Sequence, residues 1–395
     1  MRVLHIIPSV SHVRGGPSLV VMDIVKALRA KNIDAEIATT NDNGNYLLDV
    51  PLQKLIEYKQ VPITFFYRFS PPIKIIREYA FSWQLTVWLW DNICDYDILH
   101  IHAIFSYTST IAMAIARLKN VPYITMPHGL LCQWSLQQSS RRKQIYMRLI
   151  EQANLDRSQA IHLTSQQEHE EVAQLRLKAP IFVLPHGLST PQPIFNARYL
   201  LRQHLKVPPD EPIILFLSRL HPKKGLDYLI PALGKLTHHR FTFAIAGSGS
   251  QEYETEIESA LVANNIRDRT HFTGFVVGET KDLLLQGSDL FALTSHTENF
   301  GLAVLEALAV GVPVLLTPGV ALASVVQEHQ LGYVVQMDVV AIALAIEKYL
   351  THPQEGKNMG DRARQTIREK YTWEKIVTKI IDVYQAFIFN HNYCK

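Results

Sequence analysis

Short apolar runs alternate along this chain with stretches whose apolar residues recur every three or four positions, and the alternation predicts its elements. Val3–Ile7 reads as a first strand, and Leu19, Val20, Ile24 and Leu28 then mark a helix with Pro17 near its start. Further strands are expected at Asp34–Thr39, Asp97–His102, Tyr123–Met126, Ala160–Thr164 and Ile181–Leu184, with a helix over Thr108–Leu118. A second series runs through Ile213–Leu217, Phe243–Ala246, His271–Gly274, Asp289–Leu293, Pro313–Thr317 and Tyr333–Gln336, and closing helices are expected near 341–350, 358–370 and 372–387. Strands alternating with helices predict α/β architecture with parallel, doubly wound sheets. At 395 residues the chain exceeds what one core usually covers, so two domains are expected. The stretch 189–210, with Pro191, Pro193, Pro208 and Pro209, reads as the linker between a domain at 1–188 and another at 211–371.

The rhythm breaks between Tyr46 and Trp90, where Phe65, Phe66, Tyr67, Arg68, Lys74, Arg77, Trp83, Trp88 and Trp90 suggest an insertion. A basic helix is expected at Arg141-Arg142-Lys143 with Tyr146, Met147, Leu149 and Ile150. These segments have two readings: an acceptor pocket or a surface resting on anionic lipid headgroups, and an amphipathic cover packed on the sheet.

Composition narrows the classes. Hydrophobic content of 47% and charged content of 19% describe a globular protein, and a net charge of +3 does not call for nucleic acid. Cys94, Cys132 and Cys394 show neither metal spacing nor a disulfide framework, which points to a reducing compartment. No apolar run reaches the roughly 18 residues of a membrane span, and the first apolar run is too short for a signal peptide, so a cytoplasmic protein is expected.

Candidate chemistry gathers at strand-to-helix turns. After Asp289–Leu293, the polar turn Ser295–Asn299 leads into a helix expected near Phe300-Gly301, whose unpaired N–H groups suit a phosphate. Glu298 precedes that start and Glu306 lies inside the helix; in isolation they read as a capping acid and a solvated helix residue. Arg219 and Lys224, five residues apart after Ile213–Leu217, can grip phosphate oxygens or simply face solvent. Gly15-Gly16 and Gly247-Ser248-Gly249 mark tight turns where backbone passes close to a ligand or merely turns. His100, His102 and His128 sit at the carboxyl ends of strands, where ligands of α/β sheets bind, yet lack an acid or thiol at metal spacing; no metal is expected.

Glu298-x-Phe300-Gly301, followed by Leu305-Glu306-Ala307-Leu308-Ala309 and Gly311-Val312-Pro313-Val314, resembles the E-x7-E signature of retaining glycosyltransferases of family four, which have the GT-B fold. Arg219 to Gly225 is similar to that family's Arg-x4-Lys-Gly motif, and Met126-Pro127-His128-Gly129 to its His-Gly turn. The resemblance covers nearly the whole chain. It implies two Rossmann-like domains facing across a cleft, with a final helix in 372–395 crossing back to the first. It further implies transfer of a hexosyl group from a UDP-sugar or GDP-sugar to a saccharide or lipid-linked acceptor, in polysaccharide biosynthesis, with no cofactor and no metal. Arg219, Lys224 and the helix start at Phe300, Gly301 and Leu302 would hold the diphosphate. Glu298 and His128 would meet the sugar, Glu306 the ribose, the backbone around Phe275 the base, and Gly15, Gly16 and Gly247 would line the donor site. His186, where the family more often has asparagine, is expected to be structural. A catalytically silent GT-B binding subunit and a nucleotide-sugar epimerase or phosphorylase on the same fold are the alternatives.

Overall fold

The structure is a computed structural model that describes residues 1–138 and 140–393, without the side chains of 140, 142 and 390–393. Cys394 and the Arg142 side chain therefore lie outside the described residues. The chain forms two α/β units. One comprises Met1–Gly187 together with the C-terminal helix Trp373–Tyr393, and the other Leu188–Thr372.

The first unit is built on an eight-stranded sheet. Its spatial order is Ile181–Val183, Ala160–Leu163, Tyr123–Met126, Ile98–His102, Arg2–Ile7, Asp34–Thr40, Val61–Phe66 and Leu55–Tyr58. Every pairing is parallel except the last, where Leu55–Tyr58 returns antiparallel along the edge. Continuous apolar runs such as Val3-Leu4-His5-Ile6-Ile7 bury both faces, as a parallel sheet covered by helices requires. Strand order reverses between Arg2–Ile7 and Ile98–His102, and the register there sets His5 opposite His100. The C-terminal helix packs against helix Gly16–Ala30, where Lys31 and Glu374 pair at 3.2 Å.

The stretch from Tyr46 to Trp90, expected as an insertion, contributes in part to the sheet itself. Val61–Phe66 joins the sheet beside Asp34–Thr40, and Phe65 and Phe66 are fully buried. Its two ends stay outside that sheet: Tyr46–Leu47 pairs with Asp42–Asn43 in a separate two-stranded sheet, and Ile73, Ile75, Ile76 and Trp83 are exposed.

The second unit has six parallel strands in the order Thr270–Gly274, Thr242–Ala246, Ile213–Leu217, Leu290–Leu293, Val314–Leu316 and Gly332–Val334. Its order reverses between Ile213–Leu217 and Leu290–Leu293, so a crevice for ligands is expected where the residues following those two strands meet. Residues 189–210, expected as a linker, include helix Ala197–Leu205, which packs on helix Gly278–Gly287 of this same unit. Buried Arg202 anchors it through Asp289 and the Gly287 carbonyl.

Candidate functional site

In the second unit, the two loops at the reversal of strand order are stitched together by backbone and hydroxyl contacts. Thr294 Oγ1 donates to the Gly225 carbonyl at 2.8 Å, and the His296 N–H to the Lys223 carbonyl at 2.9 Å. Gly225 is required by this approach: its φ is +71°, and a Cβ there would lie 1.8 Å from the Thr294 carbonyl oxygen. The stitching carries Lys224 inward, where it is 8% exposed and forms an ion pair with Glu298. Arg219 on the same loop stays exposed, with no ion pair among the described residues.

Glu298 is held on both sides by its backbone. Its N–H donates to the Gly319 carbonyl at 2.8 Å, and its carbonyl accepts from Ala321 N–H at 3.0 Å. Three residues on, Gly301 at φ +88° is the N-cap of helix Leu302–Ala309, and Phe300 before it is buried. Chain direction thus turns sharply behind the Glu298 carboxylate, and the helix start, with its partial positive charge, follows directly. Gly301, as the N-cap, offers no side-chain hydrogen bond to that start. Glu306, one turn further in, pairs with Lys281 of helix Gly278–Gly287 at 2.7 Å.

A pocket of about 500 Å³ opens beside this loop pair, lined by Leu220, Gly247, Ser248, Gln251, Glu254, Thr255, Glu258, Phe272 and Gly274. Lys224 and Glu298 are outside its lining, while Leu220 and Gly247 connect it to the Arg219 loop. Phe275, next to Gly274, is 54% exposed. The second unit therefore offers a cationic, donor-rich turn flanked by a partly apolar pocket. That combination suits an anionic group joined to a flat or partly apolar one.

In the first unit, Gly15 is the N-cap of helix Gly16–Ala30, immediately after Arg14. Arg14 is fixed by Asp42, at 2.6 and 2.9 Å, and by Glu78 at 2.5 Å. Buried Asp42 also pairs with fully buried Arg68. His128 follows strand Tyr123–Met126 in a left-handed conformation, φ +54°, and the next N–H, of Gly129, donates to Glu168 at 2.9 Å. His102 Nδ1 and His128 Nε2 are 3.0 Å apart, and His5 Nδ1 and His102 Nε2 2.9 Å. Burial drives the pKa of His128 and of His5 down to about 3, so both rings are neutral near pH 7. His186 stacks on His128 with ring centres 5.8 Å apart. One nitrogen from each of His5, His100 and His102 lies within 4.8 Å of the others.

Lys224 and Glu298 are thus brought together across the two loops at the reversal of strand order, with Arg219 exposed on the loop of Lys224, Phe300, Gly301 and Leu302 directly following Glu298, and Glu306 one helical turn on. Gly15, Gly16 and His128 belong to the first unit. Reading the sequence missed Lys281, His5 and Asp42. Lys281 is one polar residue on an amphipathic helix and His5 one polar residue in an apolar strand; neither carries a local signal, because each is recruited by a partner far along the chain.

Residues 198–366 match the model of glycosyl transferases group 1, and residues 14–192 that of glycosyltransferase family 4. An uncharacterized glycosyltransferase of Methanocaldococcus jannaschii is 31% identical over 186 residues, 47% of each chain. Glycogen synthase of Mycobacterium tuberculosis is 28% identical over 284 residues, 70% of this chain and 66% of that one. The chain thus matches about half to two thirds of the length of these relatives. Among solved structures, sucrose-phosphate synthase from Thermosynechococcus elongatus superposes with a TM-score of 0.79 at 19% identity, covering 99% of this chain and 100% of that one. HepE of Anabaena, solved with UDP and glucose, gives 0.76 at 20% identity over 98% and 100%. The two matched models lie on the two units whose turns carry these residues, and the chain belongs to glycosyltransferase family 4, with the GT-B fold.

Proposed function

We propose that the protein transfers a hexosyl group from a nucleoside-diphosphate sugar to a hydroxyl of a saccharide or lipid-linked acceptor, with retention at the anomeric carbon. The observation that carries this reading is the pair of loops at the reversal of strand order in the second unit, where Lys224 reaches Glu298 just ahead of the helix start at Gly301 and Arg219 stands exposed on the loop of Lys224. Such a site stabilises charge developing on a leaving diphosphate. The pocket beside it, with Gly247, Phe272 and Gly274 in its lining, is assigned to the base, together with the backbone around Phe275, which follows Gly274. Glu306 receives the ribose, and Glu298 and His128 are assigned to the sugar. HepE, whose fold this chain shares, has been solved with UDP-glucose, which makes a UDP-sugar the first donor to test and a GDP-sugar the second.

The reaction needs no side-chain nucleophile in this reading: the acceptor hydroxyl attacks the face the diphosphate leaves, and the departing phosphate takes its proton. Positive charge comes from Arg219, Lys224 and the helix start rather than from a divalent ion, and no cofactor is required. Intact Arg219, Lys224, Glu298 and Glu306 favour an enzyme over a silent binding subunit.

An acceptor in cell-surface or extracellular polysaccharide synthesis, reached at the inner face of the cytoplasmic membrane, is the second part of the proposal. It is supported by exposed Ile73, Ile75, Ile76, Ile145 and Leu149 among Lys74, Arg141 and Arg148. Among the described residues no helix is long and apolar enough to cross a membrane.

The test is incubation with UDP-glucose and GDP-mannose, following nucleotide release and reading the anomeric coupling of the product by proton NMR. Release from one donor with an axial product bond retained supports the proposal; an inverted product, or binding of neither donor, overturns it.

A further inference from the structure

Six histidines cluster in the first unit, and hydrogen bonds join five of them into two chains. One chain runs from Tyr384 of the C-terminal helix to His100 Nδ1 at 2.7 Å, from His100 Nε2 to His162 Nδ1 at 3.4 Å, and from His162 Nε2 to the Leu184 carbonyl at 2.8 Å. Its direction is fixed by its end. A carbonyl only accepts, so His162 carries its proton on Nε2 and accepts at Nδ1; His100 then donates from Nε2, and the Tyr384 hydroxyl donates to its Nδ1.

The other chain, His5 to His102 to His128, ends on no carbonyl. A different observation sets its direction: His5 Nε2 is buried and has no hydrogen-bond partner. If the proton sat there, a buried N–H would be orphaned; if the proton sits on Nδ1, only a lone pair is left bare. Orphaned buried N–H groups are the rarer defect. His5 therefore donates from Nδ1 to His102 Nε2, which leaves the proton of His102 on Nδ1, donating to His128 Nε2. His128 must then carry its own proton on Nδ1.

We infer that His102, backed by His5, is a positioning residue that locks His128 in the Nδ1–H tautomer, so that His128 presents a hydrogen-bond donor to a sugar hydroxyl oxygen. This rests on the reading of His128 as a sugar-contacting residue. His128 is partly exposed, and its Nδ1 has no partner among the described residues, which leaves that nitrogen for a ligand. The neutrality that the lock requires follows from burial: with the other tautomers held, an imidazolium at His102 or His128 would put two N–H groups nose to nose. A metal ion on His5, His100 and His102 would displace hydrogen bonds of this network, because both ring nitrogens of His100 and of His102 are already engaged.

The test is nitrogen-15 NMR of deuterated, histidine-labelled protein, with the His128 signals assigned by their loss in His128→Gln. An Nδ1–H pattern that persists from pH 8 to pH 6 is expected. An Nε2–H pattern, or averaging between tautomers, overturns the lock. Two variants then separate positioning from packing in a donor-hydrolysis assay with UDP-glucose. His102→Leu should lower kcat at least tenfold with donor KM within twofold, while His102→Asn, whose amide keeps a donor near the Nδ1 position, recovers most of the loss. Equal losses in both variants overturn the positioning role even if the tautomer is as stated. An Nδ1–H pattern with unchanged kcat in both removes the sugar contact, and with it the functional half of the inference.

Discussion

Lys224 and Glu298 form an ion pair across the two loops that meet at the reversal of strand order in the second unit. Sequence motifs alone assign Lys224 to phosphate and Glu298 to sugar as separate tools. Paired, they become one device: the carboxylate holds the ammonium in place, so that in the proposed reaction an arriving diphosphate would find a cation already oriented. Lys224→Ala and Arg219→Ala are each expected to lower kcat/KM for the donor at least tenfold, about 1.4 kcal/mol. They should differ in stability. Lys224→Ala leaves a half-buried carboxylate without its cation and should cost about 1–2 kcal/mol of unfolding free energy, whereas exposed Arg219→Ala should leave it within about 0.5 kcal/mol. Donor kinetics and thermal melts on both variants check this; wild-type kinetics in both would remove the phosphate assignment.

The second ion pair tests the ribose assignment. Lys281 holds Glu306 at 2.7 Å, with both side chains partly exposed. Lys281→Met should cost no more than about 1 kcal/mol of stability, because a pair this open to water is weak. It should nevertheless raise the dissociation constant for UDP about threefold or more, since Glu306 loses the contact that aims it. Calorimetric titration with UDP reads this directly, and an unchanged constant would mean that Glu306 needs no such guide.

Much of this arrangement was legible in the sequence because it is local. Gly301, Glu298 and Lys224 each lie within a few residues of a strand end, and the strands announce themselves as apolar runs. What escaped was set by partners distant in sequence. Val61–Phe66 looks like an aromatic insertion until its pairing with Asp34–Thr40 makes it sheet, and Phe65 and Phe66 become core. The proline-rich 189–210 looked like a linker because Pro191, Pro193, Pro208 and Pro209 flank, but do not enter, helix Ala197–Leu205. His5 pairs with His102 only after 97 residues of chain return to the same sheet.

Burial of neutral histidines makes stability depend on pH. The pKa is lowered to about 3 in His5 and His128 and to about 4 in His162, while in the unfolded chain each lies near 6.5. Below pH 6.5 the unfolded chain therefore binds protons that the native state refuses, and stability falls as pH drops through 6.5 toward 4. Each histidine that stays neutral contributes about 1.4 kcal/mol of loss per pH unit in that window. Melting temperatures should be level between pH 7 and 8 and drop steeply between pH 6.5 and 5. A level profile down to pH 5 would show that these rings take up protons without unfolding the unit.

Charge at the diphosphate is assigned to Arg219, Lys224 and the Gly301 helix start, so metal removal should matter little. Transfer assayed in EDTA is expected to keep at least half its rate, and manganese or magnesium should change it less than twofold. Complete loss in EDTA with recovery on manganese would reassign the diphosphate to a metal ion.

The remaining prediction concerns the acceptor side. Ile145 and Leu149 are 60% and 73% exposed on a segment that also exposes Arg141 and Arg148, and Ile73, Ile75 and Ile76 are exposed beside Lys74. The two segments are joined, since the hydroxyls of Tyr79 and Tyr146 lie 2.8 Å apart. Apolar side chains interleaved with cations on one linked surface suit the boundary between lipid headgroups and acyl chains, and the electrostatic part must weaken with salt. Sedimentation with vesicles containing about 30% anionic lipid should exceed that with neutral vesicles and fall as salt rises from about 50 to 500 mM, because the Debye length shrinks from about 14 to about 4 Å. Leu149→Asp should reduce binding at both salt concentrations, because it removes the apolar part, while Arg148→Ala should reduce it only at low salt. Protein that stays in the supernatant with anionic vesicles at low salt would remove the membrane from the proposal and leave glycosyl transfer to an acceptor free in solution.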